Sequence, residues 1–206
     1  MLGYRLTAVS FCATRVLSPD QDDLGKLERI LSYLLYTKDQ KMTLKVGNDV
    51  ELKAYVDASF GTYVDMKSVT GVVIVIGNAS VYGKSGKQKI VTRSSTEAEL
   101  VGLSDALSQI LWSREFLMHQ GLRLEPAVVY QDNQFTICLA NKGRSASGRS
   151  CHVKVNHFFI RHYVDEGEIR IAYLATGDMV ADIMTKPLHG TTFLELRGLL
   201  IGAIKL

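Results

Sequence analysis

The sequence predicts an α/β chain, a mixed five-stranded sheet with three antiparallel strands followed by two more and with helices on its faces. Three observations predict it. Val72-Val73-Ile74-Val75-Ile76 is an uninterrupted apolar run of the kind a central strand shows. A long helix opening at Ser94 carries apolar residues at Ala98, Leu100, Val101, Leu103, Leu107, Ile110, Leu111 and Leu117, a broad stripe for a core. After it, strand and helix patterns alternate through residue 190.

Residues 1–17 are mostly apolar and lack punctuation. Ser18-Pro19-Asp20-Gln21 reads as a helix start, with Ser18 as cap, Pro19 at the first position and Gln21 closing the box. Leu24, Leu27, Ile30, Leu31, Leu34 and Leu35 follow at helical spacing. So short a helical stretch cannot bury much surface alone, so residues 1–48 read as the tail of a preceding domain. Met42 to Val46 and Glu51 to Ala58 read as strands around a Gly47-Asn48-Asp49 turn. Thr70 to Gly77 and Ala79 to Lys84 continue the meander through Asn78.

The long helix ends near Gln120, where Gly121 offers a left-handed stop. In its first turn, Ser94 with Glu97 and Thr96 with Glu99 each fit a capping box. Ala127 to Gln131 is a strand ending at Asp132-Asn133, and Gln134 to Asn141 a shorter helix. Gly143 to Ser150 is a Gly/Ser/Arg-rich loop, Val153 to Val164 a helix, and Glu168 to Leu174 a fifth strand. A last helix is expected from about Asp178 to Thr185, stopped near Pro187, with a helical tail over Leu194 to Ile204. The division is thus 1–48, 49–190 and 191–206.

Composition narrows the classes. Of 206 residues 47% are apolar and 22% charged, which suits a globular chain with a real core. No apolar run approaches the roughly 20 residues that span a bilayer, and no signal sequence opens the chain. Cys12, Cys138 and Cys151 lack metal-type spacing and are odd in number, so they read as reduced thiols of an intracellular protein. The net charge of +3 matters less than its distribution. Lys84, Lys87, Lys89 and Arg93 fall in one stretch without an acid, and Lys142, Arg144, Arg149, Lys154 and Arg161 in another with three histidines. Such clusters suit a polyanion, or a solvated face without a ligand.

Four carboxylates stand where strands end or helices begin. Asp57 lies inside the first strand, where aspartate is disfavoured and costly to bury unless paired or bound to a metal. Asp132 ends the fourth strand, Asp182 follows Ala181 in the last helix, and the long helix supplies an acid in its first turn. Each alone has a structural explanation as an edge charge, a cap or a solvated helical acid. Gathered together they could not all stay ionised without cations. Oxygen-only ligands suit magnesium, with manganese as the alternative. Two such ions about 4 Å apart can activate a water and stabilise the leaving oxygen of a phosphodiester.

Asp57-Ala58, Lys67-Ser68-Val69-Thr70-Gly71, Ser94-Ser95-Thr96-Glu97-Ala98-Glu99, Asp132-Asn133 and Ala181-Asp182-Ile183-Met184-Thr185-Lys186-Pro187-Leu188 together resemble the ribonuclease H domain of copia-type LTR retrotransposon Pol polyproteins. His152 and His157-Phe158-Phe159-Ile160-Arg161 match the segment before that family's fifth strand, and residues 5–40 resemble the stretch joining it to the reverse transcriptase. The resemblance covers about residues 52–190 and implies the ribonuclease H fold. It also implies that Asp57, Glu99, Asp132 and Asp182 are the catalytic acids holding two Mg2+, which leaves Glu97 to cap the helix. The implied substrate is the RNA strand of an RNA–DNA hybrid, cut to a 3′-hydroxyl and a 5′-phosphate. Ser95, Thr96, Asn133, Lys84, Lys87, Arg93 and Lys186 are the candidate nucleic-acid contacts. The implied partner in the polyprotein is the upstream reverse transcriptase. The implied place is intracellular, in a cytoplasmic virus-like particle, with the nucleus as the alternative. A chain opening at Met1 so near the polymerase tail suggests a genomic fragment.

One departure from the family stands out, since Phe60 replaces a usual tryptophan. The loop Ala175-Thr176-Gly177, as in the retroelement branch, lacks the histidine that aids product release in many cellular ribonucleases H. Slow turnover is therefore expected. His152, His157 and His162 read as packing or surface residues. Tyr55-Val56-Asp57 begins like a polymerase turn, but Ala58 replaces its second aspartate. An integrase-like nuclease places its glutamate last, whereas here it stands second. A catalytically silent nucleic-acid-binding or assembly module is the remaining alternative.

Overall fold

The computed structural model describes residues 6–47, 50–141 and 151–203, apart from the side chains of 151–153. Strands β1 (Leu52–Ser59), β2 (Val69–Ile76), β3 (Ala79–Lys87), β4 (Ala127–Gln131) and β5 (Ile169–Tyr173) form one sheet in the order β3-β2-β1-β4-β5. β1 is central, antiparallel to β2 and parallel to β4, and β4 is parallel to β5. Helices α1 (Leu6–Thr14), α2 (Gln21–Tyr36), α3 (Ser95–His119), α4 (Gln134–Asn141), α5 (Cys151–Asp165) and α6 (Gly190–Leu200) surround it. The expected mixed five-stranded α/β sheet is present.

Both faces of the sheet are covered, which explains the unbroken apolar run of β2 over residues 72–76. On one face Leu52, Ala54, Val56, Val72 and Ile74 pack against Leu100, Leu103, Leu107 and Ile110 of α3, and Ile160 of α5 joins them. On the other, Tyr55, Val73 and Val75 meet Met179 to Ala181, Ile183 and Met184, backed by Leu196 and Leu200 of α6. Asp57 has the parity of Tyr55, so its side chain leaves β1 toward this second layer. The β2–β3 hairpin turns through Gly77 and Asn78. Gly77 has φ +64°, and a Cβ there would fall 2.1 Å from the carbonyl oxygen of Lys45.

Several expectations need correction. Helix α2 is capped by Asp20, not Ser18: the Asp20 carboxylate accepts from Asp23 N at 2.9 Å while that of Asp23 accepts from Asp20 N at 3.2 Å. Arg15 bridges both carboxylates, which adds charge to that cap. Met42 to Val46 is not a strand. Its backbone bonds go from Thr43 N to Ile201 O and to Lys45 O from Asn78 N, so no ladder forms. The expected helix 178–185 is instead two 3-10 turns, Thr176–Asp178 and Val180–Met184. Met179 between them is extended (φ −72°, ψ 97°), which prevents a continuous α-helical ladder. Helix α6 starts at Gly190, ahead of the expected Leu194.

Helices α1 and α6 both contact the second layer, so segments on either side of residues 49–190 complete that face. The expected turn at Asn48-Asp49, the basic residues Lys142, Arg144 and Arg149, and the loop through Ser150 lie outside the described residues. No helix of the described residues is long and apolar enough to cross a membrane.

Candidate active site

Parallel pairing of β1 with β4 brings their C-terminal ends to one sheet edge, and α3 begins over that same edge. Three acids meet there. Carboxylate oxygens of Asp57 on β1, Glu99 in α3 and Asp132 after β4 all lie within 4.8 Å of one another. Asp57 is 2% exposed and Glu99 5%. Asp182, on the Val180–Met184 turn, stands outside that trio. Its Oδ1 accepts from the Lys186 ammonium at 2.7 Å, and the same nitrogen is 3.9 Å from Asp57 Oδ2. Asp57 is thus shared between a three-carboxylate group and a two-carboxylate group holding a lysine.

The first turn of α3 separates its two glutamates. Ser94 Oγ accepts from Glu97 N at 3.2 Å, and the Glu97 carboxylate accepts from Arg93 N at 2.9 Å. Ser94 thus caps the helix, while the Glu97 carboxylate reaches past the cap to Arg93 N, so the expected box is not closed. Glu99, two residues on, turns inward to the sheet.

Sequence reasoning missed the residues that aim these acids. Gln131, fully buried, donates from Nε2 to Glu99 Oε2 at 3.0 Å while its Oε1 accepts from Asp132 N at 3.1 Å. Its signal was an amide at a core-facing position ending an apolar strand. Thr185 Oγ1 donates to Asp57 Oδ2, and Thr176 Oγ1 donates to Asp132 Oδ2 at 2.9 Å. Thr185 stood inside a motif already noticed, but only the folded turn gives it a partner.

Electrostatics mark the cluster as short of positive charge. Burial, opposed by the Thr185 hydroxyl and the Lys186 ammonium, pushes the Asp57 carboxyl up to about 6. Burial, reinforced by the charge of Asp57, pushes Glu99 up to about 9. Burial also raises Asp182, against the hydrogen bond from Lys186. For Lys186 burial acts downward, but the carboxylates of Asp182 and Asp57 outweigh it and hold the ammonium above its usual range. An all-oxygen donor set with this deficit fits a hard divalent cation.

The other candidate contacts are spread over the start of α3, the end of β4 and strand β3. Ser95 and Thr96 open α3, and Asn133 follows β4, where its Oδ1 also accepts from Thr136 N at 3.1 Å. Lys87 pairs with Val69 across the ladder near the edge, but its ammonium is 2.9 Å from Asp65 and lies over the Tyr63 ring. Lys84 and Arg93 are exposed. His157 is buried, with Nε2 2.7 Å from the carbonyl of Leu139, so it ties α5 to α4. Cys12 and Cys138 are free thiols.

No protein-family model matches the chain. Over 198 residues, 93% of the chain, it is 37% identical to the retrovirus-related Pol polyprotein from transposon RE1 of Arabidopsis thaliana. Over 177 residues, 85% of the chain, it is 36% identical to that from transposon RE2 of the same plant. The chain spans only 13% and 12% of the length of these relatives. Among solved structures, LC11-RNase H1, isolated from compost by a metagenomic approach, matches with a TM-score of 0.51. That match covers 66% of this chain and 92% of the other at 16% identity, and it identifies the ribonuclease H fold.

Proposed function

This chain is homologous to a segment of copia-type Pol polyproteins and has the ribonuclease H fold, and on that premise we propose that it hydrolyses the RNA strand of RNA–DNA hybrids during retrotransposon reverse transcription. The observation that carries the proposal is the convergence of Asp57, Glu99 and Asp132 within 4.8 Å, from a strand, a helix and a strand end, with Asp182 on the flank. Such a cluster is costly to bury for structure alone.

In this reading Asp57, Glu99, Asp132 and Asp182 hold two Mg2+, or Mn2+ in its place. Bound there, divalent ions supply the polarisation that activates water and stabilises the leaving oxygen. The protein groups do the positioning. Gln131 fixes Glu99 and the backbone at Asp132, Thr185 fixes Asp57, and Thr176 fixes Asp132. Ser95, Thr96 and Asn133 sit where hydroxyl and amide groups can meet phosphate or 2′-hydroxyl oxygens. Lys84, Lys87 and Arg93 supply positive charge for the phosphate backbones. The reverse transcriptase of the same polyprotein is the partner, inside the cell, in a particle or the nucleus.

Cleavage of a labelled RNA–DNA hybrid in magnesium tests the reading, comparing the chain with Asp57→Asn. Cutting by the unmodified chain alone, leaving 3′-hydroxyl ends, is the expected result. Equal hybrid binding with no cutting by either protein would instead indicate a silent binding module.

A further inference from the structure

We propose that Lys186 is a resident counter-cation of the carboxylate cluster, filling one of its two cation positions until a polyanionic substrate draws the ammonium away. The inference rests on the nuclease reading, and it changes the order in which the site is charged.

The geometry divides the cluster unequally. Asp57, Glu99 and Asp132 form one group, and among the described residues only Asp57 of the three has a cationic nitrogen within 4.0 Å. Asp57 and Asp182 form the other, and there the Lys186 ammonium stands 3.9 Å and 2.7 Å from their oxygens. A hard divalent ion sits about 2.0–2.6 Å from carboxylate oxygens. An ion bridging Asp57 and Asp182 would therefore compete with the ammonium for the same oxygens, against like-charge repulsion at close range. In the first group the ammonium touches Asp57 alone, at the longer of its two distances.

Lys186 is placed for this by its backbone. Its N–H donates to the carbonyl of Asp182 at 2.9 Å, and its side chain reaches back one turn to the carboxylate of that same residue. Pro187 follows and restricts its backbone. The side chain is 36% exposed, so the ammonium has a path outward. A phosphodiester seated on the first group offers anionic oxygens, and an ammonium on a flexible four-carbon stem can transfer to them without any backbone movement. Lys186 then becomes a phosphate contact, and the Asp57–Asp182 position opens. Loading of that second position is thereby coupled to substrate.

Counting bound Mn2+ by electron paramagnetic resonance of the free ion tests this on the full chain. Without nucleic acid, one tightly held ion is expected for the unmodified chain and for Lys186→Arg, which keeps the charge. Two are expected for Lys186→Met, and two for the unmodified chain with a hybrid made of non-cleavable linkages, once the ions held by the hybrid alone are subtracted. The comparison with and without hybrid needs no variant, so a folding defect in Lys186→Met leaves the test intact. Two ions on the unmodified chain without hybrid, or one with it, would overturn the role of Lys186 and leave the nuclease reading standing. No bound ion under any condition would remove both.

Discussion

Gly71 lies directly opposite Asp57 in the β1–β2 ladder, and a Cβ on it would fall 2.6 Å from Thr185 Cγ2 and 2.8 Å from Met184 Cβ. The bare backbone of Gly71 is what lets the Val180–Met184 turn settle on the sheet beside Asp57. That contact delivers the Thr185 hydroxyl and the Asp182 carboxylate to the site. Gly71→Ala should destabilise the chain by about 1–3 kcal/mol, as overpacking does. It should also lower hybrid cleavage at least tenfold, on the order of the cost of a misplaced reacting group. Gly86→Ala, whose Cβ would meet only Lys84 Cε at 3.6 Å, is the control and should leave both unchanged. Thermal melts and kcat for the two variants check this.

The two glutamates of the α3 start should separate cleanly. Glu97 accepts from Arg93 N beside the Ser94 cap, so Glu97→Ala should cost about 1 kcal/mol of stability and leave most of the cleavage rate. Glu99 is buried in the cluster, so Glu99→Gln should abolish cleavage and leave the melting temperature unchanged or raised in chelator. Loss of cleavage in Glu97→Ala at unchanged stability would reverse the assignment.

The sheet was legible because both its faces are buried, which gives Val72 to Ile76 the apolar run typical of a covered strand. Asp57 was legible for the opposite reason, as a charge inside such a strand. Local chemistry misled where two caps competed: Ser18 fits the pattern, but Arg15 ties Asp20 and Asp23 together and moves the start. The turn signal Gly47-Asn48-Asp49 also suggested a strand over 42–46, where among the described residues no neighbouring strand offers a ladder. The last turn was misread as an α-helix because helix and 3-10 turn share their signals. What decides between them is the close approach to Gly71, a tertiary fact. Gln131 and Thr176 could not be assigned to partners 32 and 44 residues away from sequence alone.

Gln131 has no contact with solvent and spends both ends of its amide on the site. Gln131→Met keeps a similar length and removes both hydrogen bonds. Groups that orient metal ligands typically cost 10–100-fold in metal affinity or activity when removed. A loss of that order in Mn2+ affinity, with hybrid binding in chelator unchanged, is expected. Equal loss of hybrid binding would mean that Gln131 supports the nucleic-acid surface instead.

Stability without metal should depend on pH in a direction set by the same acids. Burial above all raises Asp57 to about 6 and Glu99 to about 9. A carboxyl with a raised folded-state value favours folding while it is protonated. Its contribution is full below the unfolded values near 4 and is lost as pH climbs through the folded one, at about 1.4 kcal/mol per unit of displacement. In chelator the melting temperature should therefore fall from about pH 5 to about pH 9. Asp57→Asn should flatten the lower part of that fall and Glu99→Gln the upper part. Saturating Mg2+ binds the ionised form and should flatten the slope of the unmodified chain, because ligand binding to the folded state offsets the loss. A melting temperature in chelator that stays level across this range would mean that the carboxyls are solvated and not buried, and a metal-bearing cluster would then be the wrong description of them.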